Sequence, residues 1–245
     1  MTHDMSHHHE HQHTSPSTST ATRDANAYND GYAFSTDINH SHKEEALLGA
    51  VLVDRLEAAG TGQQSLMTYD WQAWYGKTFD RAVVRSEGNI DQGQFTEARN
   101  ELLWGHGISA YWDSQLGVRY DSGKGPERAW LALGVQGLAP YWLYTEATFY
   151  VGEQDRVAFR LEFEYDVLIT QRLVLQPRIE TNIYSQDDIN RDVQAGLSDF
   201  EAGLRLRYEV YRELAPYLGV EWSTSHERSA VIDTTRWVAG VQVWF

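Results

Sequence analysis

The sequence has no cysteine, only 5 prolines, and no run of about 18 apolar residues. The first absence excludes a disulfide framework and any thiolate metal site. The last excludes a transmembrane helix, but it leaves a β-barrel open, because barrel strands carry apolar residues only at every second position. Basic residues are also scarce. Lys+Arg number 20 against 35 Asp+Glu, for a formal net charge of −15, which argues against a nucleic-acid partner. No phosphate-binding glycine loop, H-E-x-x-H zinc spacing or dinucleotide fingerprint occurs.

What the sequence does have is alternation, clearest from Arg156 to Asn182. Val157, Phe159, Leu161, Phe163, Tyr165 and Val167 share one side of a strand, and Arg160, Glu162, Glu164 and Asp166 share the other. After a polar turn, Leu173, Leu175 and Ile179 face one way and Gln176, Arg178, Glu180 and Asn182 the other. A soluble sandwich would bury the apolar side. A membrane barrel would turn it to lipid and line a lumen with the charges. From Leu47 onward the pattern predicts about twelve strands, near 47–57, 66–75, 80–89, 94–104, 108–120, 127–138, 141–152, 155–168, 171–184, 198–211, 215–224 and 235–245, each close to the ~10 residues that cross a bilayer at a tilt.

Three further signals favour the barrel. Connections are expected to alternate in length: long at Ser225 to Thr234, Gln186 to Leu197 and Asp121 to Pro126, short at Arg212 to Leu214, Ile169 to Gln171 and Ala139-Pro140. The chain closes on an alternating strand with Trp237, Ala239, Val241, Val243 and Phe245 on one face. Trp74, Tyr75, Trp104, Tyr141, Trp142, Tyr184 and Tyr217 fall at predicted strand ends, where an interfacial girdle belongs. The expected fold is therefore a closed antiparallel transmembrane β-barrel of about twelve strands over 47–245, with both its ends in the periplasm. Pro177, in mid-strand, predicts a bulge or local break.

Ahead of the barrel, residues 1–46 lack periodicity and are rich in His, Ser, Thr, Asn and Asp, which predicts a disordered arm. The opening M-T-H-D-M-S-H-H-H-E-H-Q-H has no apolar stretch, so no secretory signal is expected at this start, and an exported form would be mature or shortened. His3, Met5, His7, His8, His9, His11 and His13, with His40 and His42, form two donor clusters. Their His is interrupted by Met, Asp and Glu, which favours native metal binding over an expression tag. Imidazole with thioether suits copper, the sulfur Cu(I) and the nitrogen Cu(II).

The lumen positions supply oxygen donors: Asp70, Glu97, Glu146, Glu162, Glu164, Glu180 and Glu201 are the candidates for a cation path. Neighbouring arginines predict mutual neutralisation as their main role. Catalysis is poorly supported. A barrel hydrolase would need a histidine near a serine, and only His106, in a predicted inner turn, and His226, in a predicted outer loop, lie in the barrel region.

The segments L-M-T-Y-D-W-Q-A-W-Y-G (66–76), V-V-R-S-E-G (83–88), L-G-V-Q-G-L-A-P-Y-W (133–142), R-L-E-F-E-Y-D-V-L-I-T-Q-R-L-V-L-Q-P-R-I-E-T-N (160–182), L-R-L-R-Y-E-V-Y-R-E-L-A-P-Y-L-G-V-E-W (204–222) and V-A-G-V-Q-V-W-F (238–245) closely resemble the copper-resistance protein B family. The resemblance implies a Gram-negative outer-membrane barrel that helps to manage copper, in partnership with outer-membrane lipid and periplasmic copper-resistance proteins, and with no enzymatic activity. It also implies a Met- and His-rich periplasmic segment before the barrel. Met1 and Met5 are the only methionines of the segment Met1 to His13, which weakens the expectation of Cu(I) capture by thioether. The competing expectations are a non-conducting barrel that displays a metal-binding arm, and an outer-membrane hydrolase built on His226.

Overall fold

A computed structural model describes residues 46–60, 65–191, 193–227 and 230–245. The strands are β1 (Leu48–Gly60), β2 (Ser65–Gly76), β3 (Asp80–Asp91), β4 (Gln94–Gly107), β5 (Trp112–Gly123), β6 (Arg128–Ala139), β7 (Leu143–Gly152), β8 (Val157–Glu164), β9 (Val167–Leu168), β10 (Leu173–Tyr184), β11 (Gly196–Tyr208), β12 (Leu214–Glu227) and β13 (Ala230–Trp244). Each pairs antiparallel with its neighbour, and β13 pairs back onto β1, so the sheet closes on itself. Because β8 and β9 both pair with β10, they are two pieces of one stave, and the barrel has twelve.

Closure leaves no sheet edge, and the strand period of two then sorts every side chain inward or outward. Outward positions are apolar: Leu102, Leu116, Leu131, Leu133 and Leu218 are all exposed. In water this would be an unusually large apolar surface; in a bilayer it is the lipid-facing band. Aromatic side chains bound the band. Tyr75, Trp104, Tyr141 and Trp142 lie towards the end where β1 begins and β13 ends, while Phe95 and Trp222 lie towards the other. At about 3.3 Å per residue, β4 from Phe95 to Trp104 covers about 30 Å, or about 23 Å of height at a tilt of ~40°, close to the ~25 Å apolar band of such barrels.

Three expectations need correction. Trp74, Tyr184 and Tyr217 are not girdle residues. Trp74 and Tyr184 pack against an interior cluster that includes Val83, Leu103, Ala132 and Tyr150, and Tyr217 is buried with its hydroxyl on Glu57. An aromatic near a strand end carries no label saying which face it takes; the register decides. The long loop expected from Ser225 to Thr234 is instead hairpin, since β12 runs to Glu227 and β13 resumes at Ala230. The connection expected to be long at Asp121 to Pro126 is short as well, since β5 runs to Gly123 and β6 begins at Arg128. The connection from β10 to β11 is the long one among the described connections, and it contains a short 3-10 turn at Ile189–Arg191.

Pro177 does break a ladder, but on its neighbour. It pairs without a register shift to Leu204 of β11. Towards β8 its carbonyl accepts from Tyr165 N at 3.1 Å, and having no N–H it cannot return the bond. The stave therefore lapses between Glu164 and Val167. Register shifts elsewhere insert Asp54, Thr96 and Ser198 as extra residues. At each, two consecutive side chains face the lumen, Asp54 with Arg55, Thr96 with Glu97 and Ser198 with Asp199, as a β-bulge permits.

The turn Glu153–Arg156 holds Gln154 and Asp155 at φ 61° and 57°, and the turn Pro140–Leu143 holds Tyr141 and Trp142 at φ 68° and 65°. Two successive left-handed residues are what a tight hairpin turn requires, and bulky side chains are strained there. Trp142 packs edge-on against Tyr111, centroids 5.9 Å apart, which helps hold its turn.

Candidate functional site

Alternation forces the polar face of every stave into a shared interior, where charged groups must find partners because little water is available to solvate them. They do so across the lumen as well as along the wall. Arg178 is the hub: Nε donates to Glu162 at 2.8 Å and Nη2 to Glu180 at 2.9 Å, with Glu201 at 3.4 Å. Arg160 holds Glu87 through both Nη atoms at 2.6 and 2.9 Å and also reaches Glu162 at 3.0 Å and Glu180 at 3.2 Å. Arg205 joins Glu57 at 2.6 Å to Glu221 at 3.0 Å. Arg85 donates to Glu146 at 2.7 Å and to Gln136.

All seven carboxylates expected in the lumen line it or are paired within it, and their environments differ. Asp70 and Glu201 share Arg55 at 3.4 and 3.3 Å. Glu146, Glu162 and Glu180 are ion-paired as above. Glu164 accepts from Gln176 Nε2 at 2.7 Å and, like Glu97, makes no ion pair among the described residues. The expected neutralisation is thus realised for most of them and incomplete for these two. Residues missed at the sequence level fill the interior wall. Arg119 lies over the Tyr150 ring at 4.6 Å and the Trp130 ring at 5.6 Å while its Nε donates to Asp121 at 2.7 Å. Nothing in a strict polar-in rule would have placed those aromatics inside.

Two cavities occupy the lumen. One, of about 480 Å³, opens at the end carrying the β10–β11 connection and is lined by eight basic and eight acidic side chains. The other, of about 370 Å³, opens at the end where β1 begins, and five arginines face nine carboxylates there. Over the first mouth, Asp188 accepts from Arg128 at 2.8 Å and Arg156 at 2.9 Å, and Arg191 donates to Pro126 O at 2.9 Å, which ties the β10–β11 connection to two neighbouring ones. Gly125 is needed there, because its φ is +91° and a Cβ would fall 2.4 Å from Asn190 O. Burial pushes the Asp188 carboxyl up, but the Arg128 hydrogen bond and the nearby charge of Arg156 outweigh it and hold the group below its usual range.

Among the described residues, no three His, Asp or Glu side chains stand in an arrangement that could hold a metal ion. Most of the lumen carboxylates turn their oxygens to guanidinium groups instead. The arm donors His3, Met5, His7, His8, His9, His11, His13, His40 and His42 lie outside the described residues. His106 closes β4 rather than sitting in a turn, its Nδ1 2.9 Å from Asp80 Oδ1. His226 lies within β12, not a loop, and its Nδ1 has no hydrogen-bond partner among the described residues.

Comparison with known proteins follows the same lines. The family described as copper resistance protein B precursor matches residues 47–245. Copper resistance protein B of Escherichia coli is 39% identical over 221 residues, covering 87% of this chain and 75% of that protein. A copper resistance protein B homolog of Pseudomonas syringae pv. tomato is 37% identical over 220 residues, covering 86% and 75%. Among solved structures, the NanC porin superposes with a TM-score of 0.53 at 10% identity, over 79% of this chain and 98% of that one, a likeness of fold.

Proposed function

This chain belongs to the copper resistance protein B family, and on that premise we propose that its barrel takes copper ions as cargo across the bacterial outer membrane. The observation that carries the proposal is the excess of nine carboxylates over five arginines in the cavity beside the barrel's two ends. Such a cavity concentrates cations, because a low-dielectric wall focuses the field of the uncompensated charges. We place that end in the periplasm, where the arm of residues 1–46 would collect the ion on His3, Met5, His7, His8, His9, His11, His13, His40 and His42 and deliver it to Glu162, Glu164 and their neighbours. Thioether would serve Cu(I) and imidazole Cu(II). The barrel supplies binding and passage, with no enzymatic step. Periplasmic copper-resistance proteins are the natural partners for the arm.

Copper release from liposomes carrying the full chain tests the proposal, with an uncharged sugar as control. Release of copper well above that of the sugar is expected; equal rates, or none, would contradict it. The dense ion pairing across the lumen supports a second function, a sealed barrel that only displays the arm, and absence of copper release would favour it.

A further inference from the structure

We infer that Glu87, clamped by Arg99 and Arg160, is the constriction that separates the two cavities, and that a cation crosses the barrel only by exchanging with these guanidinium groups. The inference rests on the lumen being the path proposed above. Of all the side chains lining the two cavities, Glu87 and Arg99 alone line both. They sit opposite each other on β3 and β4, and they touch, Arg99 Nη1 lying 2.7 Å from Glu87 Oε1. From across the lumen, Arg160 of β8 grips both Glu87 oxygens at 2.6 and 2.9 Å. A carboxylate on one wall and a guanidinium from the opposite wall therefore form a bar through the middle of the barrel.

The bar is built to exchange partners. Arg160 already touches Glu162 at 3.0 Å and Glu180 at 3.2 Å, so it can release Glu87 without becoming an unpaired buried charge. Arg99 is the loosest member. Its contact with Glu87 is out of hydrogen-bond alignment, and its other bond, to Asn182 Oδ1, is long at 3.4 Å. A divalent cation arriving from the carboxylate-rich cavity competes for the Glu87 oxygens, and each guanidinium has somewhere to go. Glu87 then selects for cations, whereas the same site without its charge would present two arginines to the passing ion.

Planar-bilayer recordings of the full chain in potassium chloride test this, with heat-modifiable gel migration as the check on folding. Glu87→Ala and Arg99→Ala should each raise conductance about threefold, because either removes part of the bar. Glu87→Gln, nearly isosteric, should move the reversal potential in a salt gradient towards chloride, a change that loosening alone would not produce. Glu57→Ala, which breaks the buried pair with Arg205 outside both cavities, should leave conductance and selectivity as in the parent. Folded Glu87 and Arg99 variants that conduct and select like the parent would overturn the constriction, as would an equal rise in Glu57→Ala. Since these currents are carried by potassium and chloride, a copper-release failure would count against the cargo alone and leave the constriction standing.

Discussion

The two halves of the lumen are made by the same staves, yet one is balanced and the other is not. At the end bearing the β10–β11 connection, eight basic groups meet eight acidic ones, whereas at the opposite end carboxylates outnumber arginines nine to five. The chain's overall charge of −15 does not describe either half. What a passing ion experiences is set by which inward position on each stave is charged, and a single bar at Glu87 keeps the two environments apart. On the cation path proposed above, the balanced half is the polar vestibule and the acidic half the cation store.

The largest expected effect comes from removing the hub. Arg178→Ala removes the partner that Glu162, Glu180 and Glu201 share and leaves the first two to Arg160 and the third to Arg55; since breaking a buried pair costs up to about 3–5 kcal/mol, the variant should lose its folded gel migration at a distinctly lower temperature. Its neighbour Ile179 faces outward, and Ile179→Val should leave that temperature nearly unchanged. Next, deleting residues 1–42 should remove most of the copper titrated by calorimetry, and lowering the pH of the full chain below the imidazole pKa of ~6.5 should release Cu(II) from it. Undiminished stoichiometry after the deletion would move the site into the barrel.

A smaller effect sharpens the comparison itself. Glu162→Gln and Glu164→Gln, in the acidic half, should lower copper release more than Glu97→Gln in the balanced half, provided all three fold. Equal effects would mean that the local excess of charge is irrelevant. The smallest concerns the tie across the vestibule. The Asp188 carboxyl is held below its usual range, so the stability it contributes is fully present above the ordinary carboxylate pKa of ~3.9 and is lost as pH falls through the lower folded value. Protection of the β10–β11 connection from proteolysis should accordingly persist from neutral pH to about 4 and fade only below it. Asp188→Asn should weaken it at every pH.

Much of this architecture is legible in the residues alone. Strict alternation locates the twelve staves and assigns Glu162, Glu164 and Glu180 to the interior, because a period of two admits one answer once one face is known to meet lipid. Three kinds of feature escape it. Bulges at Asp54, Thr96 and Ser198 reset the parity locally, and a pattern reader sees only an irregular strand. Trp74, Tyr184 and Tyr217 show that aromatic residues also fill the inner wall, which composition cannot separate from a girdle. Arg160 meets Glu87 across the lumen at a separation of 73 residues, and Arg205 meets Glu57 at 148. Such pairings depend on closure and shear of the whole sheet, so no local pattern encodes them. The arm histidines and Met5 are the reverse case: their proposed role in copper binding rests on residue type and spacing alone, and they lie outside the described residues.

The measurement that bears most directly on the lumen as a cation path is the reversal potential of the unmodified full chain across a planar bilayer with a potassium chloride gradient. An excess of carboxylates in one cavity and Glu87 at the constriction predict a clear preference for potassium, deepening as salt is lowered and screening weakens. A preference for chloride, or no preference at low salt, would contradict it.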